Sequence, residues 1–256
     1  MPNHLRGKRI LTTRPAHQSG SWCALLQAEG AQVENIPMLG IEPLESDDAR
    51  QAIKKRILDF DQVEVAIFVS QNAVHYGVNW LEDYWPQLPQ GPRYYAIGAA
   101  TAKALDARGI PCEQSGAHMN SEDLLGLPSL QEISGQRILI FRGSGGRTLI
   151  GDTLGARGAR VDYCELYNRT LPSNSQEQLR KYGVDADAIT VHSGETLTNL
   201  SFCIEQTSME QLRQVALICP SARVAGQAKG IGFSVVHTAI NASDKAMLEA
   251  LQSALN

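Results

Sequence analysis

The sequence predicts an α/β protein built as two doubly wound parallel-sheet lobes of duplicated origin. Three observations carry that expectation. Short apolar, β-branched runs alternate with helix-like segments along the whole chain. Four stretches of one half recur in the same order in the other. The repeat distance is about half of the 256 residues, far too long for a solenoid, which leaves two similar lobes with a ligand crevice at the strand C-termini of each.

Taken in order, Arg9 to Thr13, Val63 to Val69, Tyr94 to Ile97, Arg137 to Phe141, Ala188 to Val191 and Val215 to Ile218 read as buried strands, because each is a nearly unbroken apolar run. Helices fall between them. Trp22, Leu25 and Leu26 form one apolar face before Gly30, and Leu149, Ile150, Thr153 and Leu154 form another before Gly158, each glycine serving as a stop. Asn120 and Ala242 open matching segments that read as later helix starts.

The repeat emerges when KRILTTRP from Lys8 is laid over QRILIFRG from Gln136, and LLQAEGAQV from Leu25 over TLGARGARV from Thr153, both 128 positions apart. AIFVSQNAV from Ala66 matches AITVHSGET from Ala188 to within a residue, pairing Ser70 with Ser193. AIGAATAKALDARG from Ala96 matches LICPSARVAGQAKG from Leu217, pairing Gly98 with Cys219 and Gly109 with Gly230 at an offset of 121. Ile36 to Pro43 and Tyr163 to Thr170 end the matching first βαβ pieces. They fit either a two-stranded connection between lobes or ordinary in-lobe strands.

A hydrophobic fraction of 43% suffices for a sizeable core. The net charge of −4, with basic residues spread along the chain, gives no footprint for nucleic acid or membrane, so any anionic ligand must be held locally. Cys23, Cys112, Cys164, Cys203 and Cys219 contain no CxxC pair and read as reduced thiols. Met1 to Pro15 lacks the apolar core of a signal peptide, and no later run approaches a membrane span, so the expected location is cytoplasmic.

Small polar residues stand between strand and helix at Thr12, Thr13 and Arg14; at Ser70, Gln71 and Asn72; at Ser193, Gly194 and Glu195; and at Pro220, Ser221 and Ala222. Taken singly, such residues are helix caps. Several converging on one cleft would instead offer unpaired backbone N–H groups and positive helix ends, which suit carboxylates or phosphates. Arg142-Gly-Ser-Gly-Gly-Arg147 has neither GxxxxGK[ST] spacing nor a complete GxGxxG, so it reads as a glycine-rich turn, not a nucleotide loop. His4, His17, His75, His118, His192 and His237 lie far apart without a metal-binding motif, and His192 beside Ser193 lacks the setting of a hydrolase dyad. Tyr167, in the candidate connection, fits both a packed aromatic and a side chain projecting into a cleft between lobes.

With these pieces in order, the sequence resembles the uroporphyrinogen-III synthase family over essentially its whole length. The resemblance rests on Ile10-Leu-Thr-Thr-Arg-Pro15, Phe68-Val-Ser-Gln-Asn-Ala-Val74, Ala96-Ile-Gly-Ala-Ala-Thr101 with Gly109, Ile138-Leu-Ile-Phe-Arg-Gly143, Glu165-Leu-Tyr167 with Arg169, and Cys219-Pro-Ser221. It implies interleaved lobes, one of residues 1–36 and 171–256 and the other of 44–162, joined by a two-stranded β-ladder linker of 37–43 and 163–170. It also implies a monomer, no metal, no organic cofactor, and one small-molecule substrate. That substrate is hydroxymethylbilane, a linear tetrapyrrole with eight carboxylates, which loses water and closes with its last ring inverted.

In the mechanism proposed for the family, the terminal hydroxyl leaves to give an azafulvene, the substituted carbon of the last pyrrole attacks, and the spiro intermediate fragments and recloses. The enzyme's task is then positioning. Tyr167 matches the family's cleft tyrosine; a phenol being a weak acid at neutral pH, the role implied is to orient or hydrogen-bond the leaving hydroxyl. Ser70, Thr101, Ser193 and Ser221 fall on family cleft positions whose neighbouring amides bind acetate and propionate groups, and Ser221 stands where the family commonly has threonine. Two rivals from other classes are a two-lobed ligand sensor, which duplicated lobes also suit, and a nucleotide-dependent transferase, which lacks its phosphate loop.

Overall fold

The computed structural model describes residues 4–113 and 120–255. His118 lies outside them. In chain order the elements are β1 (Arg9–Thr12), α1 (Gly20–Ala28), β2 (Gln32–Asn35), β3 (Gly40–Pro43), α2 (Asp47–Leu58), β4 (Val65–Phe68), α3 (Gln71–Tyr84), β5 (Arg93–Ala96), α4 (Ala99–Asp106) and α5 (Ser121–Leu125). There follow β6 (Arg137–Gly143), α6 (Leu149–Ala156), β7 (Arg160–Thr170), α7 (Ser175–Tyr182), β8 (Ala188–Thr190), α8 (Gly194–Thr207), β9 (Ala216–Cys219), α9 (Ala222–Gly230), β10 (Val236–Thr238) and α10 (Asp244–Leu255).

The fold is α/β, with two five-stranded sheets ordered β10-β9-β8-β1-β2 and β3-β7-β6-β4-β5. Every pairing in the first sheet is parallel, as are β4 with β5, β4 with β6 and β6 with β7 in the second. The duplication is written in the registers. Ile10 faces Ala188 across β1 and β8, and Ile138 faces Val65 across β6 and β4. The first βαβ piece of each copy therefore pairs with the later strands of the other copy. Two compact units result, one of Met1–Gly40 with Thr170–Asn256 and the other of Ile41–Arg169.

The registers also correct the sequence alignment. Ser70 caps α3 and Ser193 caps α8, while Gly98 caps α4 and Ser221 caps α9. Gly98 thus corresponds to Ser221, and Cys219 corresponds to Ala96, each the last residue of its strand. Gly109 corresponds to Gly232, both with positive φ. The expected pairing slipped by two residues because small residues are frequent in both stretches and one glycine aligns as well as another.

Each sheet is covered on both faces, which is why β4 and β8 are buried at every position. In the second unit, alternation along β6 sends Leu139 and Phe141 toward α2, α3 and α4, and Ile138 and Ile140 toward α5 and α6. In the first, Leu11 and Ile189 pack under α8 and α9, and Ile10 and Ala188 under α1 and α10. Trp22, Leu26, Ile150 and Leu154 are buried as their spacing requires, whereas Leu149, the first residue of α6, is exposed. The edge strands β2, β3 and β10 escape the apolar-run criterion because none has a buried residue. All five cysteines are free. Among the described residues no helix is long and apolar enough to cross a membrane, and no three His, Cys, Asp or Glu side chains gather as a metal site would.

Candidate active site

In the second unit the strand C-termini carry a pair of hydroxyls. Ser70 follows β4 and caps α3, accepting a hydrogen bond from the Ala73 N–H at 3.1 Å. The same Oγ lies 2.8 Å from the Tyr167 hydroxyl of β7. Tyr167 is only 2% exposed, so its ring is core and its hydroxyl is held at the strand ends. The sequence left it open between a packed aromatic and a side chain projecting into a cleft; the ring is packed and the hydroxyl meets Ser70.

Glycine makes that position possible. The pairing of β6 with β7 shifts between Arg142 and Gly143, which sets Gly143 opposite Tyr167. A Cβ on Gly143 would stand 2.5 Å from the tyrosine ring, so no other residue fits without displacing it. Ser144 N–H donates to the Tyr167 carbonyl at 2.8 Å and closes the bulge. Tyr76 of α3 packs its ring 5.6 Å from that of Tyr167; burial first, and then the neighbouring phenol, raises its pKa above the ordinary tyrosine value. Sequence reasoning missed Tyr76, whose only signal is its place one turn and a half beyond the Ser70 cap.

Nearby, Gly98 begins α4 with φ of 82°, a conformation open to glycine, and its carbonyl accepts from the N–H groups of Thr101 and Ala102. Thr101 is buried in the first turn. Gln71 at the start of α3 reaches the Ala100 carbonyl at 3.4 Å and ties the two helix starts together. Asn72 lies in the first turn of α3. The first N–H groups of both helices have no intrahelical acceptor and can receive an anion.

The first unit repeats the arrangement without a tyrosine. Ser193 caps α8 in a reciprocal box with Thr196, Gly194 and Glu195 fill the first turn, and Ser221 caps α9 by accepting from the Val224 N–H at 3.4 Å. Thr12 ends β1 fully buried, and its hydroxyl has no hydrogen-bond partner among the described residues. Thr13 donates to the Thr190 carbonyl at 2.9 Å. Arg14 is engaged within the unit: it pairs with Asp244 of α10 at 2.7 Å and lies over the Trp22 ring. His192 packs edge-on against Trp22, and both of its ring nitrogens are buried without a hydrogen-bond partner among the described residues. Burial, then the nearby Arg14 charge, lowers its pKa to about 3, so the imidazole is neutral.

Each unit thus presents two helix starts with capped first turns, and the second unit adds the Tyr167 hydroxyl beside Ser70. The sequence profile described as uroporphyrinogen-III synthase HemD matches residues 21–249. The chain belongs to the uroporphyrinogen-III synthase family. It is 34% identical to the uroporphyrinogen-III synthase of Escherichia coli strain K12 over 250 residues, covering 95% of this chain and 99% of that one. The Salmonella typhimurium uroporphyrinogen-III synthase is also 34% identical, over 247 residues and the same shares of each chain. Among solved structures, a mutant uroporphyrinogen III synthase from the extremely thermophilic bacterium Thermus thermophilus superposes with a TM-score of 0.64 at 17% identity, over 97% of this chain and 99% of that one. The Helicobacter pylori uroporphyrinogen-III synthetase does so with 0.58 at 15% identity, over 96% and 99%. These two show the fold.

Proposed function

We propose that this chain cyclises hydroxymethylbilane to uroporphyrinogen III, with loss of water and inversion of the last ring, as a cytoplasmic monomer. The observation that carries the reading is the full-length kinship with the family, joined to a buried tyrosine whose hydroxyl is fixed 2.8 Å from the Ser70 cap. Tyr167 donates a hydrogen bond to the terminal hydroxyl and steadies it as that oxygen takes up a proton and leaves as water. Ser70 aims the phenol, because its Oγ is itself fixed by the start of α3. Hydroxyl leaving and ring closure draw on the electron-rich pyrroles, so the protein's contribution is geometry and exclusion of simple closure.

The eight carboxylates of the substrate meet the amides at the starts of α3, α4, α8 and α9. Ser70, Gln71, Asn72, Gly98, Thr101, Ser193, Gly194, Glu195 and Ser221 lie at those starts and, with Thr12 and Arg14 at the end of β1, make up the proposed binding set. The experiment is to supply freshly generated hydroxymethylbilane to the purified protein and to resolve type I from type III product. Type III in excess of the spontaneous type I is expected. Type I alone would overturn the reading.

A further inference from the structure

The glycine-rich turn after β6 builds a second feature on the other face of the same sheet end. Arg142 follows Ile138 and Ile140 on the α5 and α6 side and is 8% exposed. A guanidinium buried to that degree needs compensation. Its Nε donates to the Gly143 carbonyl at 3.1 Å and its Nη1 to the Arg147 carbonyl at 3.2 Å, and it lies 5.0 Å above the Tyr163 ring. All three partners are neutral. Among the described residues neither Arg142 nor Arg147 pairs with a carboxylate. The nearest acid along β7, Glu165, accepts from the Gly145 N–H at 3.1 Å and holds the loop.

Arg142 reaches a cavity of about 300 Å³, lined also by Arg147, Arg169, Tyr163 and the apolar Ile97 and Ile140, with no acidic residue among the described residues of its wall. The turn is shaped around the guanidinium: Gly146 has φ of 92°, and a Cβ there would stand 2.6 Å from Arg142 Nη2. Gly151 of α6 gives the Tyr163 hydroxyl its space, since a Cβ there would lie 1.9 Å from it. The glycines that imitate a phosphate loop in sequence thus make room for an arginine and, at Gly143, for Tyr167.

We infer that this arginine-lined pocket is a binding and specificity site for one carboxylate-bearing side chain of the substrate, separate from the amides at the helix starts. The inference rests on the proposed function for the identity of the ligand. A planar guanidinium matches a carboxylate in two-point geometry, and the small volume admits a substituent, not the tetrapyrrole itself.

The test compares wild type with Arg147→Gln, Arg142→Gln, Arg142→Lys and the control Arg160→Gln, whose side chain is exposed at the opposite end of the strands. Steady-state kinetics with hydroxymethylbilane should show KM raised about tenfold or more by Arg147→Gln and Arg142→Gln, with kcat within about twofold and Arg160→Gln at the wild-type value. Arg142→Lys, which keeps the charge but not the fork, should fall between. Should Arg142→Gln fail to fold, Arg147→Gln, exposed and free of packing duties, decides alone. Wild-type KM in folded Arg147→Gln overturns the pocket, and so does an equal rise in Arg160→Gln. Either result alongside type III product from the wild type leaves the proposed function standing; type I product alone from the wild type overturns that function first.

Discussion

Tyr167 and His192 are two buried polar groups that the fold accommodates differently, one hydrogen-bonded and one kept neutral. Tyr167 gives its ring to the core and its hydroxyl to Ser70, so Tyr167→Phe removes one hydrogen bond and no packing. Its expected stability cost is about 1 kcal/mol, and type III turnover should fall at least tenfold by the roughly 1.4 kcal/mol or more that a positioned hydroxyl contributes. A urea midpoint and a coupled turnover assay on the same preparation check both, and unchanged turnover would remove Tyr167 from the mechanism. His192 presents the opposite case, a buried imidazole kept neutral by its surroundings, with its pKa at about 3. Below about pH 6.5 the unfolded chain takes up a proton there that the folded chain refuses, so stability is full above that pH and is lost as pH falls toward 3. Relative to His192→Phe, wild type should lose about 1.4 kcal/mol per pH unit between pH 6 and 4. Urea midpoints that run parallel with pH for the two proteins would contradict this.

At the scale of the element, the spacing between helix and sheet is set by particular glycines. Gly77, inside α3, brings the helix onto the second sheet: a Cβ there would lie 2.8 Å from Phe141 and 3.1 Å from Phe68, whose rings are stacked. Gly77→Ala gains about 1 kcal/mol of helix propensity but overpacks by about 1–3 kcal/mol, so a net loss near 1 kcal/mol is expected. Gly226, inside α9 with nothing within 4 Å, has no such duty, and Gly226→Ala should stabilise by about 0.5–1 kcal/mol. Thermal melts showing the same sign for both variants would refute the distinction. The central strands were legible in the sequence because burial on both faces writes an unbroken apolar run, as in Val65–Phe68, and the serine caps because a cap needs a small hydroxyl at one place. The arginine pocket was not legible, since Ile97, Arg142, Arg147, Tyr163 and Arg169 come from separate segments of the second unit and meet only once β5, β6 and β7 lie in one sheet. The bulge that brings Gly143 to Tyr167 was equally hidden, because a one-residue register shift leaves no mark in composition.

For the whole molecule, the duplication has produced two units with separate cores, each unit taking strands from both copies. One of them, Ile41–Arg169, is continuous in sequence and holds a complete five-stranded order apart from the first residue of β3 and the last of β7. The other is interrupted, but its two free ends meet: a Cβ on Gly40 would stand 3.1 Å from the Thr170 hydroxyl oxygen. Residues 41–169 alone should therefore fold, and so should a chain in which Gly40 is joined to Thr170 through a short glycine-serine turn. Each piece has about 120–130 residues, a size at which a single α/β core is self-sufficient. Far-UV circular dichroism and urea unfolding should give each a cooperative transition, with an m-value about half that expected for a single cooperative unit of the full chain, because m follows the surface exposed on unfolding. Neither piece alone should make type III product, since each holds only half of the helix starts proposed to grip the substrate. A disordered 41–169 fragment would mean that the contacts sustaining its core come from outside it, and that the two units are one cooperative domain.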